Sequence, residues 1–431
     1  MFFFKEHRVL VFPCSSGIGQ EIYNSIYKRR DVKLYGLDSD DDTPGKVLFG
    51  KIFYSGAPRL SEDKQGLLEY VKQFCAVNKI QYIFPGSDDF INFLKENEDF
   101  LNAKVITSCI ETCNISRSKK LTYEALDGTV RVPKMFTLED VQEFPVFVKP
   151  ERGAGALGCT KIENPEDLDS AYEKGRDIIC EYLPGEEYTV DCLTGPHGKL
   201  LYHCPRKRTA TRAGISIVTS GVTDANILKE VQEMAININN VIEFTGAWFF
   251  QVKHANDGSL CLLEIAPRVG GASCFSRMGG VNLSLLSLNI AIGLPVDIGE
   301  FNRPDCVMKV YKNYISPPLK FDNLYLDLDD TILLHGRVNP DAMKCIYKYS
   351  GKGVPIHLIT RNPRNLRKLL DKHHIPETIF TSIQQIFDKS TKSKYILPNS
   401  VFVDDSFKER SQCSSVEKNI RCFDVDAFAF L

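Results

Sequence analysis

The stretch Phe144-Pro-Val-Phe-Val-Lys-Pro-Glu-Arg-Gly-Ala-Gly-Ala-Leu-Gly158 joins a short apolar run to a glycine-rich one. Val146, Phe147 and Val148 predict a buried strand that delivers Lys149, and Pro150 ends it. Gly153, Gly155 and Gly158 follow. Glycines let a backbone turn tightly and bring its N–H groups near a phosphate, and the lysine adds a point charge. This is not a Walker loop, because no Gly-Lys-Ser/Thr follows the glycines. Taken alone, the stretch also reads as a hairpin with a flexible turn. Its neighbours decide between the two.

Downstream, Ile178 to Leu183 predicts a strand that leads through Pro184 and Gly185 to Glu187. The backbone of that extended linker can hydrogen-bond a purine edge, and Glu187 can accept hydrogen bonds from ribose hydroxyls. Arg206, Lys207, Arg208 and Arg212 form a basic group suited to anionic oxygens, or else a surface patch. Two further strands, Gly246–Val252 and a run from Leu260, flank the hairpin-turn signal Asn256-Asp257-Gly258. Pairing them brings Gln251 and Glu264 together. Both interrupt apolar runs, where a purely structural strand has no use for a polar side chain. Magnesium takes few protein oxygens and completes its shell from phosphates and water, so this pair can suffice. Arg268 follows, placed to neutralise a transferred phosphoryl group. Upstream, Ser116 to Tyr123 begins a helix that carries Lys119, a second phosphate lysine or a solvated surface charge.

The chain opens with βα alternation: a strand at 8–12, a helix to about Arg30 and a strand at Val32–Leu37. A helix from about Glu62 to Asn78 and a strand at Ile80–Phe84 continue it, which implies a small parallel sheet over residues 1–113. Gly17, Gly19 and Asp38 imitate a dinucleotide fingerprint, but Ile22 stands at its third glycine position, which argues against nicotinamide binding. At 431 residues, 43% hydrophobic and 25% charged, the chain has the composition of a soluble globular protein of two or three domains. A net charge of −2 offers no nucleic-acid or membrane surface. No signal-peptide order is present at the N-terminus and no run approaches membrane-spanning length. Fourteen cysteines without a CxxC pair exclude a zinc cluster and fit reduced thiols in a cytoplasmic protein.

This order of features resembles the ATP-grasp superfamily over roughly residues 1–310. The resemblance implies an α/β fold with a Rossmann-like leading domain at 1–113 and an α+β catalytic domain at 114–314. It also implies ATP phosphates on Lys119 and Lys149 under the 153–158 flap. Adenine would lie at Glu181, Tyr182 and Leu183, ribose at Glu187, anionic oxygens at Arg208 and Arg212, and Mg2+ (or Mn2+) on Gln251 and Glu264. Arg268 would meet the phosphoryl group. The family often has Asn two residues after the metal glutamate; Ala266 here implies a thinner metal shell. The run Glu264 to Gly271 is most similar to amino-acid and peptide ligases, with a further resemblance to short carbamoyl-phosphate-synthase-like chains, although no glutaminase segment is visible. The implied chemistry is ATP-driven joining of a small carboxylate to an amine through an acyl phosphate.

Beyond Ser316-Pro317-Pro318, which reads as a linker, the character changes. Three apolar strands end in polar residues: Leu324–Leu326 before Asp327-Leu328-Asp329, Val354–Ile359 before Thr360, and Val401–Val403 before Asp404-Asp405. They place that chemistry at one edge of a parallel sheet. Residues 320–431 resemble the capless haloacid-dehalogenase-like (HAD) phosphatases, a Rossmannoid fold. That resemblance implies Asp327 as nucleophile, Asp329 as general acid and base, and Thr360 as phosphoryl ligand. Lys392, preferred over Lys389 and Lys394, would neutralise the phosphoryl group, and Asp327, Asp329, Asp404 and Asp405 would hold Mg2+. The whole chain then reads as a ligase fused to a phosphatase for phosphoesters of one pathway, with a homodimer as its simplest assembly. Two alternatives stay open: a kinase opposed by the phosphatase, and an ATP-grasp nucleotide sensor governing it.

Overall fold

Val9 to Phe12 are fully buried, which demands apolar cover on both faces of the strand they form. That strand, β1 (His7–Phe12), is the centre of a parallel sheet with β2 (Val32–Leu37), β3 (Phe53–Tyr54), β4 (Tyr82–Pro85) and β5 (Lys104–Val105), in the order β3-β2-β1-β4-β5. In this computed structural model residues 5–153, 155–315, 318–416 and 418–431 are described. Ser316 and Pro317 of the expected linker, Ala154 of the glycine run and Met1–Phe4 lie outside those ranges. The helix predicted to run to about Arg30 spans Gly17–Ile26, where the Ser16 hydroxyl caps it by accepting from the Gly19 N–H. The helix predicted from about Glu62 starts at Lys64, and a short helix that the sequence did not predict, Pro44–Phe49, precedes it.

A four-stranded antiparallel sheet follows, ordered β6-β9-β7-β8 from β6 (Met135–Phe136), β7 (Val146–Pro150), β8 (Thr160–Ile162) and β9 (Asp177–Glu181). The third sheet has the order β14-β13-β10-β11-β12-β15. Its strands are β10 (Glu187–Thr194), β11 (Leu200–Arg212), β12 (Ile215–Gly221), β13 (Gly246–His254), β14 (Leu260–Ala266) and β15 (Cys306–Met308). Tyr188, Val190, Trp248, Phe250 and Val252 alternate onto one face and pack on the helix Ala225–Val241 through Val231, Ala235 and Ile238. Each such side chain contributes roughly 1.5–3 kcal/mol by leaving water. The residues between them, Thr189, Asp191, Phe249 and Gln251, face the other way.

Residues Met1–Val310 form one compact unit and Tyr311–Leu431 a second. Residues 1–113 and those that follow as far as Val310 thus share one unit. The reason is physical: Leu288 on the helix Leu283–Ile292 is buried in the core that covers β1, and Arg277 pairs with Glu21 at 2.9 Å. The expected helix from Ser116 is two helices, Ile110–Arg117 and Lys119–Leu126, separated by Ser118, whose hydroxyl caps the second.

The second unit is a parallel sheet ordered β20-β19-β16-β21-β22. Its strands are β16 (Asn323–Leu326), β19 (Ile356–Thr360), β20 (Ser382–Gln385), β21 (Ser400–Val403) and β22 (Ile420–Phe423), with a hairpin of β17 (Leu333–Leu334) and β18 (Arg337–Val338) between the first two. The two edge strands, β20 and β22, go beyond the three predicted from the sequence. Being half-buried, they lack the continuous apolar run that marks their neighbours.

Among the described residues no helix is long and apolar enough to cross a membrane, and the fourteen cysteines are unpaired.

Candidate functional site

In the first unit, β7 carries Lys149 to the wall of a cavity, where it is 5% exposed. Its ammonium donates to the Tyr123 hydroxyl at 2.7 Å, and that hydroxyl donates to the Leu263 carbonyl at 2.7 Å. The lysine is therefore tied to β14. Lys119, at the first position of its helix, donates to the Gly153 carbonyl at 3.3 Å, at the base of the glycine run. Gly155 and Gly158 have φ of +67° and +73°. Across from them, Gly214 at φ +71° approaches so closely that a Cβ there would lie 2.4 Å from the Gly155 carbonyl carbon. The glycine run and the β11–β12 turn are in backbone contact.

The cavity has two lobes. One, of about 280 Å3, is lined by Glu181, Tyr182, Leu183 and Glu187; the other, of about 450 Å3, by Asp88, Arg117, Thr189, Arg206 and Arg268. Both are lined by Lys119, Gly153, Gly155, Arg208, Gln251 and Glu264. The register sets Gln251 directly opposite Glu264. Burial pushes the Glu264 carboxyl above the usual range, against the opposing pull of Lys119, Arg268 and Lys149. Burial pulls the Lys119 ammonium down in turn. An amide and a carboxylate oxygen beside two lysines, a donor set of hard oxygens only, fit a Mg2+ that completes its shell from elsewhere.

Several predicted residues already have partners. Glu187 forms an ion pair with Arg208, its carboxylate 2.7 Å from Nε, and Glu181 accepts from Arg131 at 2.9 Å. Arg268 grips Asp88 through two bonds of 2.7 Å, a link that sequence separation hid. Arg206 lines the larger lobe but is 3% exposed and pairs with Asp191. Lys207 points to the opposite face and pairs with Glu186. Arg212, exposed at the end of β11, lines neither lobe.

In the second unit the ends of β16 and β21 place Asp327 and Asp404 on either side of Lys392. The buried ammonium donates to Asp327 Oδ1 at 2.5 Å and to Asp404 Oδ2 at 2.6 Å. Burial pushes the Asp327 carboxyl up to about 7, opposed by Lys392 and aided by the Asp404 charge. Burial would lower Lys392, but the two carboxylates outweigh it and hold its ammonium above the ordinary range. Lys394 is exposed, over the Tyr395 ring, and Lys389 is exposed too. Thr360, at the end of β19, accepts from the Asn362 N–H at 3.1 Å. Asn362, whose role the sequence does not advertise, donates from its amide to both oxygens of Asp329 at 2.9 Å. The Asp405 N–H donates to Thr331 Oγ1 at 3.2 Å. Among the described residues no three His, Cys, Asp or Glu side chains are grouped to hold a metal ion. Asp327 and Asp404 both bond the Lys392 ammonium.

Residues 175–312 match the family model described as "ATP-grasp in the biosynthetic pathway with Ter operon". A D-alanine–D-alanine ligase of Thermotoga sp. (strain RQ2) is 26% identical over 147 residues, 32% of this chain and 48% of that protein. The chain thus spans about half the length of the curated relative it matches. Among solved structures, biotin carboxylase of Campylobacter jejuni in complex with β,γ-ATP superposes with a TM-score of 0.59 at 17% identity, covering 68% of this chain and 73% of that one. An L-amino acid ligase of Bacillus licheniformis gives 0.54 at 17% identity, with 67% and 75% covered. Residues up to Val310 accordingly carry the mixed α/β fold of the ATP-grasp superfamily.

Proposed function

We propose that the first unit is an ATP-dependent carboxylate–amine ligase and that the second is a HAD-like phosphatase. The observation that carries the first reading is the junction of the two lobes at Lys119, Gln251, Glu264 and the glycine run. A nucleotide lying along Glu181 to Glu187 would present its terminal phosphate at that junction, and a carboxylate in the larger lobe would meet it there. Lys119 and Lys149 would offset the charge of the phosphates, and the glycine run would exclude water. One carboxylate oxygen of the substrate would attack the terminal phosphorus, ADP would leave, and the amine would then displace phosphate from the acyl carbon. Gln251 and Glu264 would hold Mg2+, which when bound neutralises phosphate charge. The Thermotoga and Bacillus relatives are ligases by name, which favours this chemistry over a kinase.

The second reading rests on the convergence of Asp327, Lys392 and Asp404 at one sheet edge. Asp327 would attack the phosphoryl group, Lys392 would balance its charge, and Asp329, oriented by Asn362, would exchange the proton with leaving group and water.

The test is ADP and phosphate release from MgATP across acid–amine pairs, on wild type, Glu264→Ala and Asp327→Asn. ADP formation that needs both an acid and an amine and falls about 100-fold or more in Glu264→Ala alone supports the ligase. ATP binding with no ADP from any pair overturns it and leaves a nucleotide sensor. Phosphoester hydrolysis that survives Asp327→Asn overturns the phosphatase.

A further inference from the structure

On the chemical face of the third sheet the register lines up Glu264, Gln251, Thr189 and Arg206, one per strand, each directly opposite the next. Strands lie about 4.8 Å apart, so Arg206 starts roughly 10 Å from Gln251. It stands in the larger lobe, away from the junction. Its Nε and Nη2 bond Asp191 at 2.9 and 3.1 Å, and Ser276 Oγ steadies that carboxylate at 3.0 Å. The remaining nitrogen, Nη1, has no hydrogen-bond partner, and neither has Oγ1 of Thr189 beside it, although these residues are only 3% and 1% exposed. Buried polar atoms of this kind call for a partner. Lys309, exposed and lining the same lobe, donates to the Gly271 carbonyl at 2.7 Å, which leaves two of its three donors.

The charge balance narrows what that partner is. Arg206 is offset by Asp191, Arg208 by Glu187, and Arg268 by Asp88. Lys309 has no carboxylate partner among the described residues, so this end of the lobe carries about one net positive charge and suits a monoanion.

We propose that Arg206, Thr189 and Lys309 form a subsite for a substrate carboxylate other than the one that is activated. The larger lobe then takes an amino acid or a small dicarboxylic acid, with its reacting group toward Glu264 and its second carboxylate on Arg206 and Lys309. This rests on the ligase reading of the first unit. The distance along the row sets the length of that substrate, and Asp191 keeps the guanidinium aimed along the sheet.

The test is ligand-detected NMR binding on the full chain. The probes are a mixture of the common amino acids with succinate and glutarate, alongside the corresponding carboxamides. Wild type, Lys309→Met and Thr189→Val are compared, since removing Arg206 would strand buried Asp191 and endanger folding. At least one carboxylate is expected to bind wild type, its amide at least tenfold more weakly, and both variants at least tenfold more weakly than wild type. MgATP binding should stay within twofold. The subsite is overturned if no carboxylate binds wild type, if amides bind as well as acids, if both variants bind like wild type, or if both lose MgATP binding in parallel. Binding without ADP formation would keep the subsite and sink the ligase, whereas ADP formation with uncharged substrates alone would do the reverse.

Discussion

The two units collect their charged side chains by different routes. In the second, three strands of a parallel sheet end on one edge, and a lysine from a nearby turn sits between two of their carboxylates. In the first, the polar residues are spread across an antiparallel face, one per strand, and most of the arginines have their own acid. A parallel sheet gathers strand ends by topology, so its site is concentrated. An antiparallel face gathers residues by register, so its site is long and can hold an extended ligand. Concentration has a cost: each buried charge at the shared point depends on the others.

That dependence gives the largest expected effect. Lys392→Met would leave Asp327 and Asp404, 6% and 0% exposed, as neighbouring carboxylates without a cation. Breaking a buried pair in this way costs about 3–5 kcal/mol, a large part of the 5–15 kcal/mol that holds a typical domain together. Chemical denaturation should show the transition of the second unit moving to much lower denaturant while that of the first stays in place. A shift of the second-unit transition by less than about 1 kcal/mol would mean that the triad is not a mutually dependent cluster, and the contrast between the units would fail.

The first unit should answer to backbone geometry more than to any single charge. Gly214→Ala puts a Cβ within 2.7 Å of three Gly155 backbone atoms, at a φ of +71° that side chains adopt reluctantly. The strain of such a position is about 1–3 kcal/mol, and the glycine run must move to relieve it. MgATP binding by calorimetry should therefore weaken by roughly tenfold, since 1.4 kcal/mol is a factor of ten. Unchanged affinity would detach the β11–β12 turn from the proposed phosphate site.

The same contrast explains what could be read from the sequence. Lys149 with its glycines, and Asp327, Thr360 and Asp404 after apolar strands, are local signals, because each lies within a few residues of the strand that delivers it. Asn256-Asp257-Gly258 went further and predicted the pairing that sets Gln251 opposite Glu264. Asp88 and Arg268 meet across 180 positions, and Asp191 and Arg206 meet by register alone; neither pair leaves a local mark. The amide of Asn362 on Asp329 was equally silent, because an asparagine after a strand is an ordinary loop residue. The edge strands β20 and β22 escaped because an edge needs no continuous apolar run.

The smallest expected effect tests whether position or composition makes the second site. Lys389, Lys392 and Lys394 lie within six residues of one another, and spacing alone ranks them poorly. Only Lys392 is buried among carboxylates; Lys394, two residues on, is exposed with its ammonium 5.7 Å from the Tyr395 ring centroid. An exposed contact of this kind is worth about 0.5–1 kcal/mol at most. Lys394→Ala should thus leave the phosphoester hydrolysis proposed for the second unit within about twofold of wild type, and leave the denaturation midpoint nearly where it was, since surface substitutions usually fall within about 0.5 kcal/mol. If Lys394→Ala instead abolished hydrolysis and Lys392→Met spared it, the turn would have to rearrange when substrate binds. The closed triad would then be a resting arrangement of the second unit.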